Sequence, residues 1–318
     1  MRYKRSIKRE TSIYRIRTAQ LEGDNMDIWH RLGRIFRLSN LGTLIFFLLN
    51  ILLLLSFFFP YGLSFKDAIL LISIYVITVM ISLSPVGEWL LTLFAGAREI
   101  KRKDIKIKLI PLLEIVLSQS QRIYPTMVES IHLTIINEPV ANAFAIGRRT
   151  ICVTEGLLNL SDEEIMAVFS HEIGHIVYKH SVIQLLIGGG NVFISGGLMI
   201  IKLICWMITA VFTAFAVGIR KLGIGLFITI IGSISSVMIW LWTKFCMLFL
   251  MWSMRQNEYV ADEYAFKLGY GRMLASILDR QICSPPDNGF FKALYSTHPR
   301  RDDRIARLQQ LGVEYSRF

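Results

Sequence analysis

Residues 161–190 read SDEEIMAVFSHEIGHIVYKHSVIQLLIGGG, and the two halves of this stretch suit different solvents. The first half carries His171, Glu172 and His175, side chains that can work on water. From Val182 onward the chain is apolar and uncharged, as a membrane segment is. Ser161 and Glu164 form the pattern of a capping box, in which the serine hydroxyl and the glutamate carboxylate satisfy backbone donors left free at a helix start. A helix is therefore predicted from about Asp162, and it is expected to run on into the apolar segment.

His171-Glu172-Ile173-Gly174-His175 is an HExxH pattern. Four-residue spacing puts both imidazoles on one helix face, where they can share a single Zn²⁺. Glu172 leans over the same place, and a carboxylate there can take a proton from activated water and pass it to a leaving amine. A hydrolytic zinc keeps three protein ligands and one open position, so a third ligand must come from elsewhere. His180 is near in sequence, but five residues past His175 an α-helix has turned by about 140°. That spacing directs His180 toward solvent or a lipid headgroup. A better candidate lies in Arg255–Asp262 (RQNEYVAD), where Glu258 and Asp262 share a helix face. One carboxylate can bind metal while the other holds a ligand histidine.

The rest of the chain says where such a site would be. Of 318 residues, 53% are hydrophobic, and they cluster. Leu41–Phe59 and Ala68–Gly87 carry no charge, Val182–Gly218 carries only Lys202, and Leu222–Trp252 only Lys244. Each is long enough to cross the hydrocarbon core, which takes about 20 apolar residues. A multi-pass membrane protein of about four spans is expected, although Val182–Gly218 has room for two short spans. The net charge of +11 is concentrated in the leader, where residues 1–40 hold ten Lys/Arg against four acids. Basic residues favour the cytoplasmic side. The leader's Asp27–Leu38 places Ile28, Leu32, Ile35 and Phe36 on one face beside arginines, an amphipathic helix suited to an anionic leaflet. Nucleic acid is a poorer partner for this charge than lipid, because the basic residues adjoin a span. The charged leader also argues against a cleaved signal peptide.

Five regions follow. Residues 1–40 are a basic cytoplasmic leader, and residues 41–94 a transmembrane hairpin. Residues 95–181 form a cytoplasmic catalytic region bearing HExxH, and residues 182–252 hold two further spans joined near Arg220-Lys221. Residues 253–318 are a catalytic tail supplying the third zinc ligand. Within 95–181, Leu112–Tyr124 has helical periodicity. Ile131–Ile136, Ala143–Ile146 and Thr150–Val153 are short β-branched or aromatic runs divided by turn residues, and they predict a small sheet. The fold class is thus α+β, mainly helical, with a zincin-like catalytic domain. If Glu258 and the two histidines share an ion, the chain crosses the bilayer an even number of times between them. Gly188-Gly189-Gly190 and Gly196-Gly197 permit close helix packing or a kink. The four cysteines include no CxxC pair, so a sulfur-ligated metal is not expected.

The order of HExxH, two hydrophobic segments and then ExxxD within Asn-Glu-Tyr-Val-Ala-Asp resembles the HtpX-like membrane metallopeptidases, with the CAAX-prenyl zinc endopeptidases as more distant relatives. Two further stretches match. Asn142-Ala-Phe-Ala and Val153-Thr-Glu-Gly-Leu-Leu158 precede the helix, and Thr297-His298-Pro299 with Arg304-Ile305 lies in the tail. The similarity covers about residues 85–310. It implies one Zn²⁺ per chain held by His171, His175 and Glu258, with Glu172 as general base and Asp262 behind a ligand histidine. It further implies that His298 steadies the oxyanion and that Asn142 lies at an edge strand pairing with extended peptide. Membrane or unfolded proteins would be the substrates, in a quality-control role at the cell membrane. Two other readings are a prenyl-protein-type protease, for which four spans are few to enclose a chamber, and a scaffold with a structural zinc, which would have no use for Glu172. An intramembrane protease would carry a downstream Leu-Asp-Gly motif, which this sequence lacks.

Overall fold

The structure is a computed structural model and describes residues 40–58, 64–123, 130–183, 200, 203–204, 206–215, 222–280 and 299–316. The Asp27–Leu38 segment, Gly188–Gly190, Gly196-Gly197, Arg220-Lys221 and His298 lie outside these residues.

The first two apolar runs form helices α1 (Leu41–Phe58) and α2 (Phe65–Ser82). A capping box of Ser64 and Asp67 starts α2. The second run does not continue unbroken to Gly87, as its composition suggested. It stops at Ser82, and α3 (Pro85–Phe94) begins afresh, with Ser84 as N-cap and Pro85 in the first turn. Proline is at ease in that position because it has no N–H to leave unsatisfied. Among the described residues α2 is the one helix long and apolar enough to cross a membrane, with mean hydropathy 1.9; Leu41–Leu52 and Trp206–Phe215 (α6) are shorter apolar helices.

The polar region folds as expected and adds an element. Strand β1 (Arg98–Glu99) precedes helix α4 (Lys103–Ile123), and β2 (His132–Ile136), β3 (Ala143–Ile146) and β4 (Thr150–Thr154) follow. The sheet order is β1-β2-β4-β3, with β2 parallel to β4 and the outer strands antiparallel to their neighbours. This leaves β3 as an edge. Side chains alternate across a strand, and both faces of this sheet are covered. Ala143, Ala145, Ile151 and Val153 join the main core with α4 and α5 (Asp162–Val177), while Phe144, Ile146 and Cys152 meet Leu91 and Ala95 around α3. All of β4 is buried in consequence.

Helix α5 starts as the capping box predicts, the Ser161 hydroxyl accepting from Glu164 N–H and the Glu164 carboxylate accepting from Ser161 N–H. It does not run on into the third apolar segment. The helix ends at Val177, Tyr178 caps it, and Lys179 takes φ +63°, a left-handed conformation that non-glycine residues adopt rarely. The last turn tightens, with Lys179 N–H reaching back to Ile176 C=O at 3.1 Å. Helix then resumes over residues 180–183 in a new direction. The Ser181 hydroxyl fixes that direction by donating to the Gly147 carbonyl at the β3–β4 turn, at 2.5 Å.

The fourth apolar run and the RQNEYVAD stretch belong to a single 46-residue helix, α7 (Leu222–Lys267). At 1.5 Å per residue it is about 70 Å long. Its first half exposes Phe227, Val237, Met238 and Trp240, whereas Ala261, Asp262, Tyr264 and Ala265 near its end are buried. It packs along α1, where the Thr43 hydroxyl donates to Ser253 at 2.9 Å. It also crosses α5, and helices α8 (Gly271–Asp279) and α9 (Arg301–Gln310) close over that crossing.

Candidate metal centre

The α5–α7 crossing places the chemistry. It is close because Gly174 lies at the contact: a Cβ there would come within 3.2 Å of Ala261 Cα and of Tyr264 Cβ. Three residues before and one after Gly174, α5 offers His171 and His175; three before and one after Ala261, α7 offers Glu258 and Asp262. All four are buried, with exposures of 7%, 7%, 5% and 2%.

Three of them converge on one point. The two Nε2 atoms of His171 and His175 are 3.2 Å apart. Glu258 Oε2 is 3.5 Å from His171 Nε2, and Glu258 Oε1 is 3.4 Å from His175 Nε2. Ligands about 2.0–2.1 Å from a tetrahedral zinc stand about 3.3–3.4 Å from one another, and the 3.2 Å between the two imidazole nitrogens and the 3.4 and 3.5 Å from them to the two oxygens of the Glu258 carboxylate are close to that spacing. The donor set, two imidazoles and a carboxylate, is also one that zinc accepts. His171, His175 and Glu258 could therefore hold a metal ion.

Behind these atoms stands a second layer. Asp262 Oδ1 lies 3.0 Å from His171 Nδ1. Arg304, from α9, forks onto Asp262 through Nε at 2.7 Å and Nη2 at 2.6 Å, and its Nη1 is 3.1 Å from Glu258 Oε2. Burial on its own would raise the Asp262 pKa, but Arg304 and His171 outweigh it and hold the carboxyl below its ordinary value. Burial likewise pulls the His171 imidazole down, yet its hydrogen bonds to Asp262 and Glu258 prevail and carry it up to about 10. A cation at Nε2 would take the place of that proton.

His180 is where the sequence reading needs correction. It neither faces solvent nor reaches a headgroup; it is 1% exposed, with Nδ1 3.1 Å from His175 Nδ1 and its ring stacked on Tyr178. The 140° turn applies only to an unbroken helix, and the left-handed Lys179 folds His180 back beneath His175. Each histidine of the HExxH pair thus has its own partner at Nδ1.

Glu172 faces the sheet. Its Oε2 accepts the Ala145 N–H of edge strand β3 at 2.8 Å. Burial raises its pKa, against the lowering pull of His175 and His171, which favours a proton-accepting role. Asn142 lies just before β3, with its backbone N–H on Thr154 Oγ1 at 2.7 Å and its C=O accepting Thr154 N–H at 3.0 Å. Its side-chain Nδ2 is buried with no acceptor among the described residues. Pro299 is described and leads into α9, while His298 is not.

Sequence reasoning named Arg304 only as part of a matching tail and gave it no role. It misplaced His180, and it had no means of finding the Ala145 N–H.

Several known proteins are similar to this chain. A protease HtpX homolog of Tropheryma whipplei (strain TW08/27) is 28% identical over 262 residues, covering 71% of this chain and 79% of that protein. Protease HtpX of Hahella chejuensis is 35% identical over 197 residues, covering 53% and 61%. Among solved structures, the crystal structure of S. mikatae Ste24p aligns with a TM-score of 0.43 at 15% identity, covering 91% of this chain and 67% of that one. The family model described as peptidase family M48 matches residues 114–311, well over half of the chain. An HExxH helix, a carboxylate helix crossing it and that match lead to one conclusion: the chain belongs to peptidase family M48, as an HtpX-like membrane metallopeptidase.

Proposed function

We propose that the chain is a zinc endopeptidase of the HExxH gluzincin type. His171, His175 and Glu258 bind one Zn²⁺, and Glu172 serves as general base. The observation that carries this reading is the meeting of the two imidazole Nε2 atoms, 3.2 Å apart, with the two oxygens of the Glu258 carboxylate at 3.4 and 3.5 Å, beside the buried Glu172. Zn²⁺ bound there supplies a Lewis acid that activates water and polarises the scissile carbonyl.

The protein's own groups do the rest. Glu172 takes the proton of the attacking water and delivers it to the leaving amine, so no covalent intermediate is needed. The Ala145 N–H keeps its carboxylate aimed. Asp262 and His180 hold the two imidazoles so that Nε2 faces inward. Arg304 offsets the charge of two buried carboxylates. An extended peptide adds to the free edge of β3, with the Asn142 Nδ2 donating to one of its carbonyls, and His298 steadies the developing oxyanion.

The proposal extends to setting. About four spans anchor the enzyme in the cell membrane, with the catalytic domain on the cytoplasmic side. Its substrates are damaged or surplus membrane proteins. The even crossing count between residues 175 and 258 supports two spans in that interval, and the leader's charge supports the orientation.

The decisive experiment measures zinc content and casein cleavage for purified wild type and Glu172→Gln in detergent. One zinc in each, with cleavage by wild type alone, is expected. Wild type without zinc overturns the proposal.

A further inference from the structure

We infer that α3 is an interfacial helix which seats the catalytic domain on the bilayer through Val86, Trp89, Leu90 and Leu93; the inference rests on the membrane reading above. At 100° per residue these four side chains fall within an arc of about 100°. They are exposed by 55%, 60%, 36% and 56%, and Phe94 at the arc's edge by 77%. The opposite face turns to the protein and carries the polar groups. Glu88 accepts the Thr150 hydroxyl at 2.8 Å and the Arg148 N–H at 3.3 Å, Thr92 bonds the Glu88 carbonyl, Leu91 packs toward the sheet and Gly87 is buried. A helix lying on a water-soluble domain shows the reverse pattern, apolar inward and polar outward.

Three observations identify the medium as lipid. First, α3 begins three residues after α2 ends, and α2 is apolar with only 6% of its spanning window buried, so whatever bathes α2 adjoins α3. Second, a tryptophan bounds one side of the exposed arc, the aromatic residue preferred at the boundary between hydrocarbon and headgroups. Third, α3 is followed by the exposed basic residues Arg98, Lys101, Arg102 and Lys103 and the half-buried Lys106, which outnumber Glu99 and Asp104 and suit anionic headgroups.

The consequence reaches the active centre. Because α3 lies directly on the sheet, the edge strand β3 stands about one helix diameter, roughly 10 Å, from the bilayer surface. A chain emerging from the membrane meets β3 first.

The test uses the full chain in vesicles of phosphatidylethanolamine and phosphatidylglycerol carrying a labelled lipid. The photocrosslinker p-benzoylphenylalanine replaces Trp89, Leu93, the protein-facing Thr92 or Val76 of α2, one at a time. Lipid adducts at positions 76, 89 and 93 with none at 92 are expected. An adduct at 76 without one at 89 or 93 overturns the inference and leaves the membrane reading standing. A crosslinked dimer from position 89 overturns it by showing that a second copy covers the face. Equal labelling at 92 removes the face specificity and overturns it too. No adduct even at 76 defeats the membrane reading, and the inference with it.

Discussion

Arg304 grips Asp262 with both Nε and Nη2, at 2.7 and 2.6 Å, from a helix 42 residues further along the chain. The same guanidinium reaches Glu258 at 3.1 Å, so one buried cation faces two buried carboxylates. Planar, bidentate pairing of this kind is a task for arginine and not for lysine. Replacing Arg304 with Met removes the guanidinium that faces both buried carboxylates, and breaking a buried pair in this way costs about 3–5 kcal/mol. We expect Arg304→Met to lower the melting temperature in detergent and to lose zinc. Arg304→Lys should keep much of the stability and recover zinc binding only in part. Wild-type melting and zinc content in Arg304→Met would remove Arg304 from the centre.

Gly174 offers a test of the helix crossing. A methyl group 3.2 Å from Ala261 Cα is tighter than ordinary contact, so α5 and α7 must part by a few tenths of an ångström. Overpacking of this sort costs about 1–3 kcal/mol. Gly174→Ala is expected to weaken zinc binding several-fold, and Gly174→Val to abolish cleavage while the protein still inserts in membranes. Chelator competition and casein cleavage together would measure both.

Metal removal separates the ligands from their neighbours. A ligand that binds only the folded state stabilises it by RT ln(1 + [L]/Kd), or about 4 kcal/mol at a thousandfold excess over Kd. Stripping zinc with 1,10-phenanthroline should lower the melting temperature and stop cleavage, and added Zn²⁺ should restore both. His171→Ala should show no such zinc-dependent shift. A shift of wild-type size in that variant would place the ion elsewhere.

These outcomes depend on features that differ in how readily the sequence reveals them. His171 and His175 are legible because a four-residue spacing on one helix needs no tertiary information. The capping box before them is local as well, and so are the three strands with their turn residues. Glu258 required a second step, the pairing of two patterns 83 residues apart, and it succeeded because ExxxD also keeps both groups on one helix face. The break between α2 and α3 was missed although Ser84-Pro85 marks it, since uncharged composition hides a change of direction. Arg304 was hidden for a different reason. Its partners lie on another helix, and an arginine in Arg300-Arg301-Asp302-Asp303-Arg304 looks like any solvated charge.

His180 was misplaced because nothing local warns that the helix stops. Glycine or asparagine commonly ends a helix in the left-handed conformation, but here a lysine does so, with φ +63°. That turn brings His180 Nδ1 to 3.1 Å from His175 Nδ1. Removing a partner behind a metal-ligating imidazole typically lowers metal affinity by about 10–100-fold. His180→Phe keeps an aromatic ring beside Tyr178 and deletes the hydrogen bond. It should therefore weaken zinc by that factor, with cleavage recovering as Zn²⁺ is raised. A merely structural histidine would show lost stability without such rescue. Lys179 gives the independent check, because the turn and the contact stand or fall together. Lys179→Gly adopts the same φ without strain and should preserve zinc affinity and melting temperature. Lys179→Val resists a left-handed φ, so it should weaken zinc as His180→Phe does while leaving every ligand in the sequence. If Lys179→Val bound zinc as tightly as wild type, the turn would have no part in holding His175.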